Sequence, residues 1–174
     1  MIRDIVLMGD PVLRTEAEAI TVFDDDLRSL VRDMYATMYH ADGIGLAAPQ
    51  IGLPLRIIVV DLRRPDSDDE DEEFERVALV NPVVTWSSDE TAKQSEGCLS
   101  IPGLEETVQR PEEVRVEGRD PEGDEIIIET DGLFGRALQH EIDHLNGVLF
   151  VDRVSPLKRR MLMKKWKKLE AEEA

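Results

Sequence analysis

The 174-residue chain has a single cysteine, Cys98, so no disulfide can close within it. That suits a reducing compartment and leaves the thiol available for metal or redox chemistry. Histidine is nearly as scarce, with three residues. Basic residues are few beside acidic ones, 21 against 38, and the formal charge of −17 argues against nucleic acid, specific DNA included, and against an anionic membrane surface as partner. Long apolar runs are missing as well. The longest, "GIGLAAPQIGLPL", carries Gln50 and is too short to span a bilayer. At the start, "MIRDIVLMGDPVLR" places Arg3 and Asp4 where a signal peptide needs apolar residues. These absences point to a cytoplasmic protein, and the length points to one domain over residues 1–174 without internal repeats.

The charge that is present is unevenly spread. Residues 66–75, "DSDDEDEEFE", form a block of like charge that reads as a solvated loop. The C-terminal segment concentrates Lys158, Arg159, Arg160, Lys164, Lys165, Lys167 and Lys168 around Leu162, Trp166 and Leu169. The apolar spacing of i, i+4 and i+7 predicts a basic amphipathic helix over 156–172.

Upstream, Leu27, Leu30, Val31, Met34 and Met38 share one helical stripe, with Asp24 to Asp26 available as cap and first-turn acids. The β-branched runs "LRIIVVD" and "RVALVNPVV" predict strands, and "EVRVEG" and "DEIIIET" flank "RDPEG" as a hairpin. Asp131 offers an N-cap and Gly147 a C-terminal stop for a further helix. Helix, strands, helix, helix is the order of an α+β fold, with antiparallel β-sheets around a central helix and helices at both ends.

That central helix contains "HEIDH", residues 140–144. At about 3.6 residues per turn a step of four rotates the side chain by only about 40°, so His140 and His144 face one ion. Glu141 sits at the edge of that face, placed to reach a water bound to the metal as a general base. A catalytic site of this kind needs a third protein ligand and one open position. Two candidates exist. His40 ends the first helix, and Cys98 lies in "SEGCLSIPG", where Pro102 and Gly103 signal a turn. A free cysteine is also at home as a small buried core residue, so the residue types leave the choice open.

Three segments together resemble one family. "GIGLAAPQ" (43–50), "EGCLS" (96–100) and "HEIDH" (140–144) are similar to the signature motifs of the peptide deformylases, in the same order, and the resemblance runs from "DPVLR" to "LFVDRVSPLKRR". It implies removal of the N-formyl group from the formylmethionine of nascent polypeptides, with release of formate. It implies Cys98, His140 and His144 as ligands of one divalent metal, Fe²⁺ in the cell and Zn²⁺ or Ni²⁺ in purified protein. Metal-bound water would attack the formyl carbon, with Glu141 as general base and then acid. The Gln50 side chain and the Leu99 backbone N–H would stabilise the developing oxyanion.

The resemblance further implies that Gly45 faces the substrate backbone and that Ile44, Leu133 and Ala137 line a methionine pocket. It also implies that the C-terminal helix reaches the ribosome surface near the exit tunnel. Arg136 stands where relatives are often apolar, and Leu104-Glu105-Glu106 where many carry an arginine. A zinc endopeptidase would need a ligand after His144, where only acids remain, and a structural zinc module would need a fourth protein ligand such as His40.

Overall fold

Every residue of strand β2 (Ile57–Asp61) is buried, and its alternation sorts the apolar side chains into two layers. Ile58 and Val60 join Leu138, Ile142 and Leu145 of helix α2 (Gly132–Leu145). Ile57 and Val59 turn the other way, to Leu27, Val31, Met34 and Met38 of helix α1 (Asp25–His40). A strand period of two makes this possible, because successive side chains leave opposite faces. The computed structural model describes residues 1–62 and 75–173, so the acidic run expected at 66–75 lies outside the described residues except for Glu75.

Around β2 runs a five-stranded antiparallel sheet. Its order is β1 (Gly45–Ala47), β2, β3 (Arg76–Ser87), β6 (Val114–Arg119) and β7 (Glu125–Thr130). The "RDPEG" turn closes β6 onto β7 through Gly123 N–H to the Asp120 carbonyl at 2.9 Å, as the sequence predicts. In β3 the pairing register shifts between Val80 and Val83, where Asn81 takes φ 54° and Pro82 has no N–H to give.

Two strands without a hydrophobic signature, β4 (Thr91–Glu96) and β5 (Glu106–Pro111), form a separate antiparallel pair. The sequence reading does not anticipate them. Their buried positions include Glu96 and Arg110, so an ion pair stands where alternating apolar residues would have announced a strand.

Helix α1 begins as expected, with the Asp24 carboxylate accepting from Leu27 N–H at 3.0 Å, a cap worth about 1 kcal/mol. Helix α2 departs from expectation at its start: Asp131 holds the N-cap position, but its side chain makes no cap hydrogen bond and lies exposed. From Phe134 to Leu145 every residue of α2 is buried. A helix covered on all sides belongs at the centre, and its polar side chains must find partners there. Helix α3 (Pro156–Glu173) follows, with Leu162 and Trp166 packed among Met8, Leu13, Ile101 and Phe150. Among the described residues no helix is long and apolar enough to cross a membrane.

Candidate active site

Helix α2 presents His140 and His144 one turn apart, with ring centroids separated by 5.1 Å. Cys98, in the turn that leaves β4, faces them, and the ligand atoms of the three residues lie within 4.8 Å of one another. Its Sγ is 3.4 Å from His144 Nε2. One sulfur and two imidazole nitrogens so gathered fit a single divalent ion with ligand distances of about 2.0–2.3 Å. His40, the other candidate third ligand, is exposed at the end of α1 and outside this group.

The orientation of His140 is set from behind. Its Nδ1 lies 2.9 Å from Glu96 Oε1, which leaves Nε2 for the ion. Glu96 is in turn gripped by Arg110, through Nε to Oε2 at 2.6 Å and Nη2 to Oε1 at 2.9 Å, and by Arg136 Nη1 to Oε2 at 2.5 Å. Arg110 also donates to Asp143 Oδ2 at 2.9 Å, and Arg153 holds Asp143 from the other side. Burial would raise the Glu96 carboxyl, but hydrogen bonds from His140 and Arg110 outweigh it and hold the pKa at about 2. The sequence reading assigned no role to Glu96, Arg110 or Asp143, although Glu96 opens "EGCLS" and Asp143 lies inside "HEIDH". Arg136, which stands where relatives are often apolar, spends its guanidinium on Glu96 and on the carbonyls of Val108 and Ala92 at 3.0 and 2.8 Å.

Unequal neighbours, and not burial itself, drive the proton affinities of the two histidines apart. Burial keeps His144 well below the ordinary imidazole value, helped by the charges of His140 and Arg110. At His140 burial acts in the same direction, but the Glu141 charge and the bonds to Cys98 and Glu96 prevail and raise it. Glu141 is 5 % exposed, its Oε1 has no hydrogen-bond partner, and desolvation lifts its pKa to about 7. A carboxyl near neutrality is poised to take and return a proton.

Gln50, 1 % exposed, sits in the 3-10 turn Ala48–Ile51 that follows β1, and Ala47 N–H at the end of that strand locks it by donating to its Oε1 at 2.9 Å. Its Nε2 therefore points toward Ser100 Oγ at 3.1 Å and Cys98 Sγ at 3.5 Å. Leu99 follows Cys98 in a turn closed by Ile101 N–H to the Cys98 carbonyl at 3.0 Å. A β-carbon at residue 43 would meet Leu99 Cδ1 at 2.6 Å, and one at residue 45 would meet Glu141 Oε2 at 2.5 Å. Neither glycine has a positive φ, so the cause is close approach and not turn geometry.

A cavity of about 700 Å³ opens over this arrangement. Cys98, His140, Glu141 and Gln50 contribute to its lining, as do Leu99, Gly45, Ile44, Leu133 and Ala137. His144 stands behind them, 1 % exposed. Residues from Ile44 to Glu141 thus border one space, with His144 behind it.

The likeness to known proteins covers nearly the whole chain. The family model for polypeptide deformylases matches residues 2–160. A peptide deformylase of Brucella suis biovar 1 (strain 1330) is 46% identical over 173 residues, covering 99% of this chain and 96% of the relative. One from Phenylobacterium zucineum (strain HLK1) is 46% identical over 167 residues, 96% of each chain. Among solved structures, a peptide deformylase from Legionella pneumophila superposes with a TM-score of 0.88 at 43% identity, covering 99% of this chain and 98% of that one. A peptide deformylase from Synechococcus elongatus in complex with actinonin gives 0.85 at 43% identity, with 95% and 86% covered. The matched span takes in both the turn that carries Cys98 and the helix that carries the histidines, and the chain belongs to the polypeptide deformylase family.

Proposed function

We propose that this chain is a metal-dependent hydrolase that removes the N-formyl group from the N-terminal formylmethionine of nascent polypeptides, releasing formate and a free amine. The observation that carries the reading is the buried, unpartnered Glu141 Oε1 at the edge of the Cys98, His140 and His144 cluster, on a cavity large enough for a peptide end. Cys98 and the two histidines would hold one divalent ion, and Fe²⁺ is the proposed native metal, with Zn²⁺ or Ni²⁺ able to occupy the same soft donor set. When bound, such an ion lowers the pKa of water and polarises a carbonyl oxygen.

The remaining work falls to the protein. Glu141 takes a proton from the attacking water as its oxygen bonds to the formyl carbon, and gives that proton to the nitrogen as the C–N bond breaks. Negative charge grows on the formyl oxygen meanwhile, and the Gln50 Nε2 amide and the Leu99 backbone N–H are its proposed donors. Losing one such donor typically costs ~3 kcal/mol of barrier. Ile44, Leu133 and Ala137 are proposed as walls for the methionine side chain, with Gly45 beside the substrate backbone. A structural zinc site lacks support, since His40 lies outside the ligand group.

The proposed catalytic domain takes in residues 1–174 and acts in the cytoplasm. The proposed docking element for the ribosome near its exit tunnel is α3. Its Leu162 and Trp166 are buried, while Lys164, Lys165, Lys167 and Lys168 are exposed. A cationic face suits an RNA surface that would repel a chain of net charge −17. Changing those four lysines to glutamine should weaken ribosome binding and its salt dependence; unchanged binding would contradict the assignment.

A further inference from the structure

We propose, resting on the deformylase reading above, that Glu105 and Asp42 make this enzyme favour nascent chains with a basic residue shortly after formylmethionine. The cavity is built to take a ligand at its floor, where the buried Glu141 Oε1 has no partner. Its apolar wall includes Ile44 and Leu133, which suit the methionine side chain. A longer substrate must therefore leave past the charged part of the lining.

That part is unbalanced. Glu105, Asp42 and Lys165 line the cavity with exposed side chains. Among the described residues neither carboxylate has an ion pair or side-chain hydrogen bond, whereas the neighbouring Glu106 is held by Lys158 at 3.3 Å. The other cation of the lining, Arg136, is consumed by Glu96 and two carbonyls. Glu105 also lies close to the chemistry. Its Cγ is 3.5 Å from where a β-carbon of Gly97 would stand, and Gly97 adjoins Cys98. Two uncompensated carboxylates thus face one ammonium on a long, flexible stem. Exposed pairs are weak, so the preference for lysine over glutamate is about threefold to tenfold at low salt and fades as salt screens it.

The test is kcat/KM of the metal-loaded enzyme on C-terminally amidated formyl-Met-Ala-Lys, formyl-Met-Ala-Ala and formyl-Met-Ala-Glu, and on the set with the variable residue directly after methionine. The expected order is lysine, alanine, glutamate, collapsing to near equality in a Glu105→Gln, Asp42→Asn double variant. Asparagine accepts the φ of 58° that Asp42 adopts, so that change keeps the backbone. Equal rates for all peptides would overturn the selectivity alone. So would an order that persists in the double variant, which would assign it to the chain's overall charge. Failure to hydrolyse any formyl peptide would overturn the functional reading and the selectivity with it.

Discussion

The place where a β-carbon of residue 45 would stand lies 2.5 Å from Glu141 Oε2, so Gly45 and the Glu141 carboxylate share one space. A methyl group there must displace the carboxylate, because the Cδ and Cγ of Glu141 also stand only 3.0 Å away. Gly45→Ala should therefore lower kcat/KM on a formyl-Met peptide by about 100-fold or more, the usual worth of a positioned acid–base group. Metal content and thermal midpoint should change little. Wild-type turnover would show that Glu141 is not held by this contact.

Glu141 and Cys98 should separate cleanly. Glu141→Gln removes the proton acceptor but none of the proposed ligands, so metal stays near stoichiometric while activity falls about 10²- to 10⁴-fold. Cys98→Ala should lose metal and activity together. Metal analysis and rates on the same samples check both, and a Glu141→Gln enzyme of normal rate would remove it from the chemistry.

How far these residues were legible depends on what announced them. The spacing of His140 and His144 and the run of Ile57 to Val60 follow from helix and strand periods, which sequence displays directly. The third ligand was ambiguous between His40 and Cys98 on residue type, because only the fold brings β4 against α2. Glu96 and Arg110 were hidden for a physical reason: buried charges satisfied by each other look, in sequence, like surface residues. The unbonded Asp131 side chain shows the reverse case, a local signal that the surrounding structure does not use.

Glu96→Ala should be costly on two counts. It strips one of two carboxylate partners from Arg110 and the carboxylate from Arg136, 4 % and 6 % exposed, and breaking a buried ion pair from one side costs about 3–5 kcal/mol. It also frees His140 Nδ1, and loss of such a partner typically weakens metal binding about 10- to 100-fold. Denaturant unfolding and a metal competition titration measure the two effects. Unaltered stability would mean the network is not closed as described.

Asp152 ties three segments together, with Arg14 Nη1 at 2.5 Å, Leu149 N–H at 2.9 Å and Arg159 Nε at 3.3 Å. Burial works to raise its carboxyl, but these bonds outweigh burial and lower it below the ordinary 3.8. A depressed folded value stabilises the fold above the unfolded pKa, and this contribution disappears as pH falls through the folded value. Asp152→Asn should cost about 1 kcal/mol at neutral pH, since Asp152 and its partners are partly exposed, and should flatten the loss of stability below about pH 4. Unfolding curves across acid pH would show this, and parallel wild-type and variant profiles would contradict it.

The most direct measurement compares hydrolysis of formyl-Met-Ala, acetyl-Met-Ala and an internal peptide bond by one metal-analysed sample. A site formed by Cys98, His140, His144 and Glu141 as described, with deformylase function, predicts rapid formate release from the first and negligible cleavage of the others. Cleavage of the internal bond, or no formate from a fully metal-loaded sample, would contradict the account.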